Sequence, residues 1–375
     1  MQFKEIFGQE GVKQQLVQTA KDGRISHAQL FLGPEGSGAL CLAIAYSQFI
    51  NCLRPLENDS CGECSSCLKF QKYIHPDLHF TFPTIATDKK KKLSNDFISE
   101  WRETLLANPY LSELQWLLTL DDEGKKQGNI TSDECRDIIR KLSLKAYEAK
   151  FKTVIIWLPE YLSVEGNILL KLLEEPPDET LIMLVAQDSD KVLGTILSRT
   201  QIVRIPKLSD QIIQNVLISN YAVNQQEAEN IARIAEGNFS LARTLLESGR
   251  SDYHQLFAAW MRACYGNKVE EINACSEKIL SGGKEFVKSF IGYSLHILRA
   301  AFLFHYADER LIKLSAEEFQ FMHNFSFTLS SKNIPEITQA FNQTAYEIER
   351  NADPKITFLN LSLYIGNRLH KQAKA

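Results

Sequence analysis

The chain has 375 residues, of which 44% are hydrophobic and 23% are charged, the composition of a soluble globular protein with two or three domains. A formal net charge of -4 argues against a protein that coats nucleic acid through bulk charge, so any contact with DNA is expected to be local. The first residues hold no apolar signal-peptide core, and no run of about 18 apolar residues is evident. The expected location is therefore the cytoplasm, without a membrane span.

Short apolar runs alternate with helical patterns over the first two hundred residues. The runs that we predict to be strands are Ala28–Leu32, Val154–Leu158, Leu181–Ala186 and Gln201–Ile205. Alternation of this kind predicts an α/β domain with a parallel sheet, which we place at 1–205. The polar stretch 76–129 contains four consecutive lysines, Lys89–Lys92. It breaks the pattern and is interpreted as an insertion.

From Pro206 onward the strand signals end, and apolar residues recur at helical spacing. We expect a small helical lid domain at 206–248 and a larger all-α domain at 249–375. The aromatic residues of the last region, such as Phe257 and Trp260, are interpreted as packed faces of a helix bundle.

A glycine-rich turn follows the first predicted strand. The run Gly33-Pro34-Glu35-Gly36-Ser37-Gly38-Ala39-Leu40 has the glycine spacing of a phosphate-binding loop (P-loop) that opens onto a helix. In a working P-loop the backbone N–H groups cradle phosphates, a lysine reaches the β- and γ-oxygens, and a Ser or Thr hydroxyl binds magnesium. Ala39 and Leu40 occupy those last two positions, so hydrolysis is not expected, and whether nucleotide still binds stays open. A chance glycine turn is the alternative interpretation.

The end of the predicted strand Val154–Leu158 is a second position that matters for ATP hydrolysis. In P-loop ATPases an acidic pair at this position holds magnesium and activates the attacking water. Here the two residues are Trp157 and Leu158. Both halves of the metal site are absent together, as in an inherited fold that has lost its chemistry.

Four of the eight cysteines cluster in the segment 52–67, which we call the cysteine knuckle. Cys52, Cys61, Cys64 and Cys67 follow the spacing C-x8-C-x2-C-x2-C. Four thiolates can close a tetrahedron around zinc and leave no position for water, so we predict a structural zinc site. Four unrelated free cysteines are the alternative, which would be a redox liability in a reducing compartment.

Further short motifs lie on either side of these sites. They are Phe3-x-x-Ile6-x-Gly8-Gln9, Arg24-Ile25-Ser26-His27-Ala28, Asn167–Pro177 and Thr195–Thr200. Together with the glycine loop and the cysteine knuckle, they resemble the AAA+ subunits of the bacterial DNA polymerase III clamp loader. The resemblance covers about residues 1–245 with specific motifs, whereas 246–375 matches only in length and helical character.

The resemblance implies a subunit that does not hydrolyse ATP itself. It would work in a ring with gamma/tau and delta subunits, and the ring would load a sliding clamp on primed DNA during DNA replication. Thr195–Thr200 resembles the family's Ser-Arg-Cys motif, whose arginine enters the ATP site of the neighbouring subunit. Arg199 is thereby implied to be an arginine finger that acts in trans. The all-α domain would form the oligomerisation collar.

The chain also departs from the family pattern. Thr200 stands where the motif has cysteine, and Ala186 and Gln187 replace the hydroxyl residues that sense the γ-phosphate. Arg243 lies where the family has its second sensor arginine, but without a competent P-loop it could be an ordinary lid residue.

Two other classes of function stay open. An autonomous ATPase or nucleotide kinase would need atypical residues in place of Ala39, Leu40, Trp157 and Leu158. A stand-alone DNA-binding regulator would bind DNA tightly and in a salt-sensitive manner without partners, which the acidic composition disfavours.

Overall fold

The computed structural model describes residues 1–85, 93–121, 126–247, 253–306, 312, 314, 316–330, 332–349 and 352–372. The chain forms two compact units. The first comprises Met1–Val223 and Glu236–Ser240, and the second comprises Asn224–Ala235 and Leu241–Ala375. The predicted lid domain 206–248 is divided between the two units, and the three-domain division stays a prediction. The run Lys89–Lys92 lies outside the described residues.

A parallel sheet of five strands forms the centre of the first unit. The strands are β1 (Ala28–Leu32), β2 (Leu78–Thr81), β3 (Lys152–Trp157), β4 (Thr180–Ala186) and β5 (Gln201–Arg204), arranged in the order β2-β3-β4-β1-β5. β3 and β4 are buried along their whole length, as expected for strands covered on both faces. The predicted α/β fold is confirmed: β1 has the predicted bounds, and the other three predicted strands differ by one or two residues at one or both ends.

The interpretation of 76–129 as an insertion is wrong at its start. β2 lies inside this range and pairs in parallel with β3, from Leu78 opposite Thr153 to Thr81 opposite Ile156. The strand has only four residues, too few to show a clear alternation in the sequence.

The nine α-helices that the structure describes in the first unit pack around the sheet or lie in the segment 76–129. They are α1 (Glu10–Lys21), α2 (Ala39–Ile50), α3 (Ser65–Gln71), α4 (Ile98–Ala107), α5 (Glu113–Leu120), α6 (Ser132–Ser143), α7 (Leu170–Glu174), α8 (Gly194–Leu197) and α9 (Asp210–Tyr221). α2 is apolar around almost its whole circumference and is buried from Ala39 to Phe49, as such a composition requires. Two 3₁₀ pieces within Pro159–Leu169, separated by a kink at Ser163, connect β3 to α7.

The described residues of the second unit form helices and the connections between them, with no strand, which confirms the predicted all-α character of the C-terminal region. Its helices are α10 (Gln225–Ala235), α11 (Phe239–Glu247, from Leu241 on), α12 (Tyr253–Gly266), α13 (Val269–Ser281), α14 (Gly283–Tyr306), α15 (Ala316–Ser326), α16 (Asn333–Glu349) and α17 (Pro354–Gln372). Its core contains a cluster of aromatic rings around Trp260, which lies within 6 Å of Phe290, Phe341 and Phe358.

α14 includes a stretch, Phe286–Tyr306, that is long and apolar enough by length and composition alone to cross a membrane. The sequence interpretation missed it because Lys288 and Arg299 interrupt the apolar run. Within the second unit 56% of this stretch is buried, and the helix packs against α13, α15 and α16. This burial is typical of the central helix of a bundle.

Candidate functional site

The glycine loop connects β1 to α2, as the sequence predicted. Gly36 and Gly38 have φ values of +73° and +88°, in the left-handed region that favours glycine. Because β1 lies between β4 and β5, the loop emerges from the carboxyl edge of the sheet, where α/β proteins place phosphate groups. The backbone framework of a P-loop is therefore present.

A segment of the chain itself packs directly on this loop. A Cβ atom at Gly36 would lie 2.0 Å from Asn238 Oδ1 and 2.5 Å from the backbone nitrogen of Phe239. The Phe239 N–H donates to the Gly36 carbonyl over 3.2 Å. Asn238 Nδ2 donates to Glu35 Oε1 over 3.0 Å. Asn238 and Phe239 thus pack against the glycine turn.

Three aromatic rings lie beside the N-terminus of α2, and we call Phe7, Tyr110 and Phe239 the aromatic triad. Their ring centroids are 4.8 to 5.1 Å apart. Tyr110 is 5% exposed, and a Cβ atom at Gly38 would lie 3.2 Å from its ring. The Tyr110 hydroxyl accepts a hydrogen bond from the Phe7 N–H over 2.8 Å, and burial raises the pKa of this phenol. The triad gives the start of α2 an apolar surrounding.

The N-terminal motif also contacts the loop. Gln9 Nε2 donates to the Ser37 carbonyl over 2.9 Å and to the Pro206 carbonyl over 2.7 Å. This amide ties the loop to the chain after β5.

The loop lacks the lysine and the hydroxyl residue of a working P-loop. The run 33–40 contains no lysine or arginine, and Ala39 and Leu40 are 7% and 6% exposed. The Ser37 hydroxyl is buried and has no hydrogen-bond partner among the described residues. A phosphate here would meet backbone N–H groups but neither an ammonium group nor a magnesium ligand of the loop.

The end of β3 is equally apolar. Trp157 is buried, and its ring lies 5.1 Å from that of Trp101. Leu158 has a φ of +57°, and its N–H donates to the Val185 carbonyl over 2.9 Å. Neither residue can ligate magnesium, so the position of the acidic pair holds core side chains.

One carboxylate near this position escaped the sequence interpretation. Glu160 Oε1 accepts hydrogen bonds from the N–H groups of Gln187 and Asp188 over 2.6 and 3.0 Å. Burial raises the pKa of Glu160, and these two donors offset only part of that effect. The carboxylate thus holds the segment after β4, where Ala186 and Gln187 stand in place of sensing hydroxyls.

The cysteine knuckle is assembled as the spacing predicted. The four Sγ atoms lie within 4.8 Å of one another, with 3.5 Å between Cys52 and Cys61 and 3.8 Å between Cys61 and Cys67. A tetrahedral ZnS₄ centre with Zn–S bonds of about 2.3 Å has sulfur atoms about 3.8 Å apart. The set of four cysteines, completed by Cys64, could therefore bind a metal ion.

Backbone N–H groups prepare these sulfur atoms for metal binding. The N–H groups of Cys61, Cys64 and Cys67 donate to Sγ of Cys52, Cys61 and Cys64 over 3.3 to 3.4 Å. Burial raises the pKa of the Cys61 thiol, but hydrogen bonds from the N–H groups of Glu63 and Cys64 and from neighbouring thiols outweigh it and bring the pKa to about 6. Burial raises the pKa of the Cys52 and Cys67 thiols. Thiolates are the metal-binding form of cysteine, so these donors favour ligation.

Arg199 lies directly after α8, in the connection from β4 to β5. Its Nε donates to Glu174 Oε1 over 2.6 Å. Its Nη1 donates to the Thr195 carbonyl over 3.0 Å and to Ser198 Oγ over 3.2 Å. The side chain is 33% exposed, so a guanidinium group reaches the surface of the first unit.

The two motifs around Arg199 form one surface. Thr195 Oγ1 donates to Asn167 Oδ1 over 3.1 Å, and a Cβ atom at Gly166 would lie 3.0 Å from the side chain of Ile196. The sequence placed Asn167–Pro177 and Thr195–Thr200 separately, and the fold brings them side by side.

Arg243 belongs to the second unit. Its Nη2 donates to Glu247 Oε1 over 2.8 Å within α11. This pairing does not by itself mark a nucleotide sensor.

The sheet order β2-β3-β4-β1-β5, with a glycine loop after β1 and an arginine between β4 and β5, defines the chain as an AAA+ type P-loop protein. The substitutions at both catalytic positions make it a degenerate one. This class is the one that the sequence motifs predicted.

Comparison with known proteins identifies the family. The family described as "DNA polymerase III, delta subunit" matches residues 8–209, and the chain belongs to this family. It is 28% identical over 236 residues to DNA polymerase III subunit delta' of Haemophilus influenzae, covering 63% of this chain and 59% of that protein. It is 25% identical over 245 residues to subunit delta' of Bacillus subtilis, covering 65% and 60%.

A relative with a different subunit name matches the same part of the chain. Subunit tau of Bacillus subtilis is 27% identical over 255 residues, covering 66% of this chain and 38% of that protein. The chain thus spans between about two fifths and three fifths of the length of these relatives.

Proposed function

We propose that the chain is a non-hydrolysing subunit of the DNA polymerase III clamp loader. It assembles with gamma/tau and delta subunits in the cytoplasm and helps load the sliding clamp on primed DNA. The family and the relatives named delta' and tau support this role. The observation that carries it is the contrast between a P-loop packed with the chain's own residues and an arginine exposed at the surface.

In this proposal Arg199 acts on a nucleotide that the chain does not bind. A guanidinium group supplied in trans stabilises the charge that develops on a γ-phosphate during its transfer. Removal of such a finger lowers kcat by about 10³ to 10⁵. The chain would therefore complete the ATP site of a neighbouring subunit without hydrolysing ATP itself.

The test is the variant Arg199→Ala in the reconstituted assembly. We expect hydrolysis to be lost at the one site that the chain completes, measured as the amount of ATP hydrolysed in the first turnover with primed DNA. Arg136→Ala is the matched control, because Arg136 is a well exposed arginine of the same unit outside this surface. An unchanged first turnover in Arg199→Ala would refute the arginine-finger role.

We further propose that the cysteine knuckle holds one structural zinc ion. The ion would be bound by Cys52, Cys61, Cys64 and Cys67, and its role would be to brace the fold around α3. Metal analysis of the wild-type protein should find about one zinc per chain. Cys67→Ser should lose the zinc and unfold at a lower temperature, whereas Cys275→Ser, outside the knuckle, should keep it. A stable wild-type protein without metal would contradict this proposal.

A further inference from the structure

Glu174, which contacts Arg199, stands at an electrostatically unfavourable place. It is the last residue of α7, where helix carbonyls carry partial negative charge and disfavour a carboxylate. The Nε of Arg199 lies 2.6 Å from its Oε1 and offsets this repulsion. The adjacent carboxylate, Glu175, is also exposed but makes no such contact among the described residues.

The contacts of Arg199 restrict how it could bind a phosphate. A guanidinium group grips an anion with two parallel N–H bonds along one of two edges, Nε with Nη2 or Nη1 with Nη2. Glu174 engages Nε, and the Thr195 carbonyl and Ser198 Oγ engage Nη1. Each edge therefore has one donor already committed to the chain's own surface.

We propose that Glu174 is a positioning residue that holds Arg199 against its own subunit until a partner's γ-phosphate displaces the carboxylate. This inference rests on the proposed arginine-finger role. A triphosphate carries more negative charge than one carboxylate, so it competes successfully for the guanidinium once it lies within reach. Glu174 thereby restrains hydrolysis in assemblies whose subunits are not yet closed around nucleotide.

The experiment compares Glu174→Gln with Glu175→Gln in the reconstituted assembly. Both variants remove one negative charge from neighbouring positions, but only the first neutralises the partner of Arg199. We expect Glu174→Gln to raise ATP turnover in the absence of DNA by about two- to fivefold, the range over which exposed ion pairs bias an equilibrium. Glu175→Gln should leave this turnover at the wild-type level, and Glu174→Asp should restore most of the restraint.

The outcomes separate this inference from the proposed function. If Arg199→Ala loses first-turnover hydrolysis but Glu174→Gln behaves like Glu175→Gln or turns over ATP more slowly, the finger stands and the inference is overturned. If Arg199→Ala has no effect, both are overturned.

A second measurement tests the contact between Arg199 and Glu174 in the isolated chain of 375 residues, without partner subunits. NMR exchange of the Arg199 Nε–H with water should be slow in the wild-type chain and in Glu175→Gln. It should be faster in Glu174→Gln. Equal exchange rates in the three proteins would overturn the inference.

Discussion

The glycine loop and the surface around Arg199 differ in what their polar groups contact. At the loop, the Gly36 and Ser37 carbonyls accept hydrogen bonds from Phe239 and Gln9 of the chain itself. At Arg199, the guanidinium group makes its bonds at the surface and is one-third exposed. The loop is part of the packed structure, whereas the arginine side chain reaches the surface and, among the described residues, bonds only to neighbouring surface groups of its own unit.

The largest effect is expected from the aromatic triad. Phe239→Ala removes a buried ring beside the loop and should lower the free energy of unfolding by about 3 to 5 kcal/mol. Arg199→Ala should change it by less than about 1 kcal/mol, because exposed ion pairs contribute little. Urea unfolding of the two variants measures both values. Equal losses would show that the Phe239 ring and the Arg199 side chain contribute equally to the stability of the protein.

A smaller effect is expected from the glycine turn. Gly36→Ala places a Cβ at positive φ and against Asn238, and it should cost about 2 kcal/mol or more. Gly11→Ala is the control, because a Cβ there meets nothing within 4 Å, and it should be neutral or stabilising by up to about 1 kcal/mol. Thermal unfolding distinguishes the two variants. A stable Gly36→Ala protein would indicate that segment 237–239 is not fixed on the loop.

The smallest effect is expected from repair of the loop sequence. Ala39→Lys combined with Leu40→Thr restores the phosphate and magnesium groups, yet Mg-ATP should not raise the unfolding temperature, because Tyr110 and Asn238 still adjoin the loop. Adding Tyr110→Ala and Asn238→Ala should allow a rise that increases with ATP concentration. A rise in the two-residue variant alone would show that the missing groups, and not the packing, limit the binding of Mg-ATP.

Local sequence patterns predicted the features that depend on residues close together in the sequence. β1 and the cysteine knuckle follow from short runs, because strand burial and thiol clustering are visible within a few positions. β2 was missed because four residues carry too little periodicity. The family motifs led to Arg199, but not to the carboxylate that holds it.

Contacts between distant parts of the chain could not be predicted in this way. Phe7 and Tyr110 are 103 residues apart, and Glu35 and Asn238 are 203 residues apart. Nothing in either local pattern indicates such a pair, because tertiary packing alone brings the two residues together. The sequence therefore showed that the lysine and the hydroxyl of a working P-loop are absent, but not that Asn238 and Phe239 pack on the loop.

The packing of Asn238 and Phe239 on Gly36 bears on the evolutionary history of the chain. Once these residues rely on each other, a lineage that regains the lysine alone acquires a buried charge without a ligand. A lineage that first replaces Asn238 or Phe239 loses stability before nucleotide binding can bring any benefit. Selection on single substitutions would therefore oppose either first step. Under the proposed function, the loss of ATP hydrolysis would therefore be difficult to reverse by single substitutions, and descendants of this chain are expected to diversify at their surfaces and not at their loop.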